Sequence, residues 1–141
     1  MFLDLDNFKP YNDTFGHEAG DIVLKCMADI FRQSVGHRGF VSRYGGDEFI
    51  LVVQDSDKEL LKTIAEDVYR RIEASNGFKR ELEAGTGRTL DMRELVPVTC
   101  SIGIAISEGK INKEDCEALI QMADDILYSI KTEGKGTYRF L

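Results

Sequence analysis

Arg43-Tyr44-Gly45-Gly46-Asp47-Glu48-Phe49 sets two acids directly after a pair of glycines and directly before the apolar run Phe49 to Val53. A Gly-Gly pair between two strand-like segments signals a tight turn, so Asp47 and Glu48 stand at the tip of a hairpin. Acids at the start of an apolar strand are costly to desolvate unless they are paired or bound to a cation. A second acid pair, Asp4 and Asp6, closes the apolar segment at residues 1–5. Two residues apart in extended backbone, they face the same side, and two carboxylates at a strand end can hold a hard cation through oxygen. Each pair taken alone also fits a plainer role, as solvated turn acids at 47–48 and as loop-capping aspartates at 4 and 6. Together they are two carboxylate clusters at strand ends of one sheet. If the first strand lies beside the hairpin, both can reach one metal ion. Such a site suits phosphoryl transfer, in which a divalent cation lowers charge repulsion, activates a hydroxyl and holds the leaving phosphates in line.

Two further groups bear on that chemistry. In the stretch from Tyr11 to Asp21, Asn12 and Asp21 offer an amide and a carboxylate. A carboxylate can accept from the N1–H and exocyclic amine of guanine, which adenine does not present in that form, so a base-reading Asp is a route to GTP over ATP. The same residues also fit an Asx turn at Asn12 and a helix start at Asp21. Lys131 and Lys135, at the end of the last helix and among the glycines after it, could neutralise a terminal phosphate; Lys131 equally complements the negative end of its own helix. His17 and His37 are isolated and read as surface or capping residues.

The elements that must position these residues follow from periodicity. Residues 1–5 read as a buried strand and 6–17 as a loop rich in Asn, Asp, Gly and Pro. Ala19, Ile22, Val23, Cys26, Ile30 and Phe31 recur at helical spacing and predict a helix over 18–35. Strands over 40–44 and up to Val53 flank the Gly-Gly turn, and the second is apolar enough for a central strand covered on both faces. A helix over 57–75 turns Leu61, Ile64, Ala65, Val68 and Ile72 inward. Residues 76–94 are polar and carry three glycines, and read as a surface insertion with a short strand pair. Val98, Cys100, Ile102, Ile104 and Ile106 alternate with Thr99, Ser101, Gly103 and Ala105, a strand with one bulky face and one small face against which a helix can pack closely. A helix over 113–132 and a short strand over 138–141 complete the order β-α-β-β-α-β-α-β. That order predicts an α/β domain with a central mixed sheet and flanking helices.

With 141 residues the chain suffices for one domain and one core. Hydrophobic residues make up 43% and charged residues 30%, an ordinary globular composition without a membrane-length apolar run or a secretory signal. Eighteen basic against twenty-five acidic residues give a formal charge of −7, which argues against wrapping a nucleic-acid backbone but leaves a nucleotide open. Cys26, Cys100 and Cys116 are far apart and odd in number, which suits buried thiols in a reducing compartment rather than a disulfide framework or zinc site.

The motif RYGGDEF, preceded by DLDNFK and NDTFGHEAGD and followed by ADDILYSIK, resembles the GGDEF family of diguanylate cyclases from Asp4 to the end of the chain. The resemblance implies an α+β palm-like fold of the nucleotidyl-cyclase type. It also implies condensation of two GTP into cyclic di-GMP with release of two pyrophosphates. By position, Asp4, the carbonyl of Leu5 and Asp47 would bind Mg²⁺, with Mn²⁺ as a substitute, and Asp47 or Glu48 would help activate the 3′-hydroxyl. The backbone of Asn7, Phe8 and Lys9 would contact phosphates, Asn12 and Asp21 would read guanine, and Lys131 and Lys135 would hold the outer phosphates. Catalysis in the family needs two domains face to face, so a homodimer is expected, with a sensor or regulatory region in a longer parent and a bacterial, cytoplasmic setting. No nucleic-acid partner is expected.

Three departures carry consequences. Lys135 stands where the family usually has Arg, which keeps the charge and loses the bidentate fork. The family's upstream helix and its Leu-Thr-Gly-Leu-Pro-Asn-Arg-type loop do not occur within residues 1–141, so the chain reads as a GGDEF domain lacking both, with weakened activity or stability to follow. The family's Arg-x-x-Asp product-inhibition motif is replaced by Gly36, His37, Arg38 and Gly39, which predicts no feedback inhibition through that site. The alternatives are a catalytically silent GGDEF domain that senses GTP or docks a partner, and a relaxed cyclase that also accepts ATP.

Overall fold

The computed structural model describes residues 1–55, 57–93, 95–109 and 111–141. Its centre is β1 (Phe2–Asp6), whose Leu3 and Leu5 are buried on one face and Phe2 on the other. The chain continues through α1 (Lys9–Phe15), α2 (His17–Val35), a single 3₁₀ turn, β2 (Gly39–Gly45), β3 (Glu48–Val53) and α3 (Lys58–Ala74). A second short turn leads to α4 (Lys79–Thr86), then β4 (Thr99–Ile104), α5 (Lys113–Glu133) and β5 (Tyr138–Phe140). The strands form one mixed sheet in the order β2-β3-β1-β4-β5, in which β1 runs antiparallel to both β3 and β4 and β5 runs parallel to β4. The mixed sheet with helices on it is the architecture that the alternation of elements predicts.

Strand alternation divides the side chains between two layers. Leu3, Leu5, Phe49, Leu51, Cys100, Ile102 and Ile104 join the apolar faces of α2 and α3 in the main core. Phe2 packs with Ala123 and Leu127 of α5 on the opposite layer. There the small face of β4 lets α5 approach closely, as its alternation predicts. A Cβ added at Gly103 would lie 2.0 Å from the Ala123 carbonyl oxygen and 2.9 Å from the Leu127 nitrogen. The start of α5 is fixed by a reciprocal cap, with Asn112 and Asp115 each accepting from the other's backbone N–H. Helices α2 and α3 are joined through Asp67, which accepts from Ser34 Oγ at 2.8 Å and Arg71 Nε at 2.6 Å, while Arg71 reaches Gln33 at 2.6 Å.

Four expectations need correction. The loop read over 6–17 contains α1: Pro10 sits in its first turn, where its missing N–H costs nothing. The polar stretch 76–94 is no surface insertion with a strand pair, since it forms a turn and α4 and buries Phe78, Leu82 and Leu90 against the main core; Glu94 lies outside the described residues. A single inward leucine on α4 leaves no visible period, which hides the helix from sequence reasoning. Strand β3 is covered fully on one face only, with Val52 37% exposed beside an apolar hollow of about 480 Å³ that α5 leaves open. Of the thiols only Cys100 is buried; Cys26 is half-buried and Cys116 exposed.

Candidate functional site

The acids converge because of register. Asp4 is paired with Glu48 across β1 and β3, and the Leu5 N–H donates to the Asp47 carbonyl at 3.2 Å. On the other side Asp4 is paired with Ser101 of β4. Asp4, Asp6, Glu48 and Ser101 therefore share the sheet face that carries α5, at the end where the helix stops covering it. The two acid clusters do lie side by side, as the sequence required for a common site.

The structure gives the two aspartates of β1 different roles. Asp6 is 1% exposed and fully engaged. One oxygen accepts from Ser101 Oγ at 2.8 Å and from the Gly136 N–H at 3.0 Å, and the other from Lys131 Nζ at 2.5 Å. Its charge is thus neutralised and its lone pairs satisfied inside the protein, as a buried carboxylate requires. Asp4 is half-buried, and among the described residues its side chain accepts only from Lys131. Burial raises the Asp4 pKa, Lys131 opposes that, and the Asp47 and Asp6 charges add to it. Glu48 is likewise pushed up, first by desolvation and then by Asp4, Asp124 and Asp47. Lys131 is raised although burial works against it, because its hydrogen bonds to Asp4 and Asp6 favour the ammonium. The result is an excess of carboxylate charge that one ammonium partly offsets.

These are hard oxygen donors, which suit Mg²⁺ or Mn²⁺ better than a soft metal. Among the described residues no group of three His, Cys, Asp or Glu side chains is gathered closely enough to hold a metal by side chains alone. The donor set fits a divalent cation whose coordination is completed by backbone and substrate oxygens, as Mg²⁺ commonly binds.

The remaining predicted residues belong to α1, α2 and the segments that follow β1 and α5. Asn7 adopts φ 62°, which turns the chain sharply from β1 into α1 at Phe8 and Lys9, and its amide donates to the Pro97 carbonyl at 3.3 Å. Asn12 lies within α1, not in an Asx turn, and its amide rests on Gly20 of α2: a Cβ at Gly20 would meet the Asn12 amide oxygen at 1.8 Å. Asp21, the next residue, is exposed, so Asn12 and Asp21 are brought to neighbouring positions. Lys135 is exposed on the loop that Asp6 anchors through Gly136. Gly36, His37 and Arg38 form an exposed 3₁₀ turn before β2. Sequence reasoning missed Ser101, Gly136 and Gly20 as supports of the site. The small-residue face of β4 was the available signal for Ser101.

The family model "Diguanylate cyclase, GGDEF domain" matches residues 1–137. The chain belongs to the GGDEF family. This GGDEF domain is 39% identical over 137 residues to the diguanylate cyclase DosC of Escherichia coli; the match covers 96% of the chain and 26% of DosC, so the chain spans about a quarter of that relative's length. The GGDEF domain of YfiN (TpbB) from Pseudomonas aeruginosa superposes with a TM-score of 0.75 at 28% identity, over 99% of this chain and 78% of that one. A diguanylate cyclase from the same species, SiaD, solved in complex with its activator SiaC, gives a TM-score of 0.73 at 26% identity over 99% of this chain and 48% of that one. The palm-like α+β fold expected from the motifs is the fold of these GGDEF structures. Among the described residues no helix of the domain is long and apolar enough to cross a membrane.

Proposed function

We propose that this GGDEF domain condenses two GTP molecules into cyclic di-GMP and two pyrophosphates, as half of a face-to-face homodimer. The observation that carries this reading is the convergence of Asp4, Asp47 and Glu48 at one sheet end, with Lys131 beside them. In each half-site, Asp4, the Leu5 carbonyl and Asp47 would hold Mg²⁺ or Mn²⁺. When bound, the cation lowers the pKa of the attacking hydroxyl and neutralises charge on the phosphates.

The protein's own groups account for the rest. Glu48, whose pKa is raised, is suited to take the 3′-hydroxyl proton, with Asp47 as the second candidate. The freed 3′-oxygen attacks the α-phosphorus of the GTP on the partner domain, a P–O bond forms, and the bond to pyrophosphate breaks. Repeating the step in the opposite sense closes the ring. Lys131 and Lys135 would neutralise the outer phosphates, and the backbone turn at Asn7 to Lys9 would present N–H groups to them. Asn12 and Asp21 would read guanine. With no Arg-x-x-Asp at positions 36–39, product would not inhibit through that site. The parent protein would add a sensor or regulatory region and act in the bacterial cytoplasm, where GTP is available and free thiols persist.

The test is incubation of the chain with GTP and Mg²⁺ at high protein concentration, followed by chromatography for cyclic di-GMP. Product that disappears in Asp47→Ala is the expected result. GTP binding without product at any protein concentration would overturn the cyclase reading and leave a GTP sensor.

A further inference from the structure

Lys131 is in the wrong place for a residue that serves only the outer phosphates. Its ammonium lies 2.5 Å from Asp4 Oδ1, on the carboxylate assigned to the metal, and 2.5 Å from Asp6 Oδ1. Asp6 is fixed, with its other oxygen tied to Ser101 and the Gly136 N–H. Asp4 is not, since among the described residues Lys131 is its only side-chain partner. An ammonium has three donors and can give up one acceptor while keeping another.

We propose, on the footing of the cyclase reading above, that Lys131 is a placeholder cation that makes metal and nucleotide binding depend on each other. In the free domain it occupies Asp4. A divalent cation arriving alone must share Asp4 with a positive charge a few ångströms away, which opposes its binding. A triphosphate supplies acceptors that draw the ammonium off Asp4 while Asp6 still holds it, and Asp4 then becomes available to the metal. Bound metal in turn frees the ammonium for the phosphates, as linkage requires. The domain thereby avoids filling its site with metal before substrate arrives.

The test is Mn²⁺ binding to the nucleotide-free protein, read from the electron paramagnetic resonance of unbound Mn²⁺. Lys131→Met should bind one Mn²⁺ about tenfold more tightly than wild type, within the usual range of such couplings. Lys131→Arg, which keeps the charge, should stay close to wild type. Equal affinity in wild type and Lys131→Met would overturn the proposal. Should Lys131→Met fail to fold, nitrogen-15 NMR of the lysine ammonium groups in wild type decides: the Lys131 signal should stay unchanged with Mg²⁺ alone and shift when a non-hydrolysable GTP analogue is added. A shift with Mg²⁺ alone would overturn it. Mn²⁺ uptake by wild type together with the analogue, absent in Asp47→Ala, separates the two failures: its presence leaves the cyclase reading standing, and its absence removes the site on which both rest.

Discussion

Replacing Gly103 by alanine should damage both stability and the site, because α5 is seated on the bare backbone of β4. The added Cβ would lie 2.0 Å from the Ala123 carbonyl oxygen, where ordinary contact begins at 3.4 Å. The next atoms, the Leu127 nitrogen at 2.9 Å and the Ala123 carbonyl carbon at 3.0 Å, are also backbone, so no side-chain rotation relieves the clash. The helix must lift by about 1.4 Å, and overpacking of this kind costs about 3 kcal/mol, the upper end of the usual range. An unfolding entropy of about 2.1 cal/mol/K per residue converts that into a fall in Tm of about 10 °C for a domain of this size. Gly45→Ala is the control, since its Cβ would meet nothing nearer than the Glu48 carboxylate at 3.8 Å; its Tm should move by no more than about 2 °C. Lifting α5 also draws Lys131 away from Asp4 and Asp6. A misplacement of about 1 Å at a reacting centre can lower turnover about a hundredfold, so kcat for cyclic di-GMP should fall by that order at temperatures where the variant is still folded. Differential scanning calorimetry and a turnover assay read the two effects. Gly103→Ala that melts with wild type would refute the close seating of α5.

Two further substitutions separate stability from recognition and from charge. Gly20→Ala displaces the Asn12 amide, whose oxygen would lie 1.8 Å from the new Cβ, while giving α2 a better helix former worth about 1 kcal/mol; KM for GTP should rise about tenfold, the value of one lost base hydrogen bond, with no fall in Tm, and an unchanged KM would refute the placement of Asn12 at the base. Burial works to raise the pKa of Asp67, but hydrogen bonds from Arg71, Arg70 and Ser34 outweigh it and hold the carboxyl at about 2. A depressed acid stabilises the fold above its unfolded pKa near 3.8 and loses that contribution as pH falls through about 2. Asp67→Asn should therefore lower stability by about 1 kcal/mol at neutral pH, after allowing for solvent screening, and the gap to wild type in denaturant titrations should close near pH 2. A gap that stays constant with pH would show that charge is not the cause.

Helices α2, α3 and α5 were legible because each carries an apolar stripe at helical spacing, and the bounds read from sequence fall within a residue or two of those observed. The hairpin was legible from Gly45-Gly46, and the helix-bearing face of β4 from its alternating small residues. Helices α1 and α4 were not, because each turns few apolar side chains inward and their glycine-rich, polar surroundings look like loop. At the site, Asp4, Asp47 and Glu48 could be picked out as acids at strand ends. The division of labour between Asp4 and Asp6 could not, since alternation puts both on one face and only tertiary partners distinguish them. Ser101, Gly136 and Lys131 reach Asp6 across 95, 130 and 125 residues of chain, and no local pattern encodes such distances.

The bond between Lys131 and Asp4 joins positions 127 residues apart, which bears on how the domain is made as well as on what it does. The strand that bears Asp4 is made before both of its neighbours in the sheet, and its lysine comes later still. Pairings this distant in sequence form slowly, because the intervening loop must be ordered before the contact rewards it. The nascent chain therefore carries its acidic cluster ahead of the base that offsets it. A ribosome stalled before Lys131 would display carboxylates with no ammonium among them, and competence would arrive only with α5.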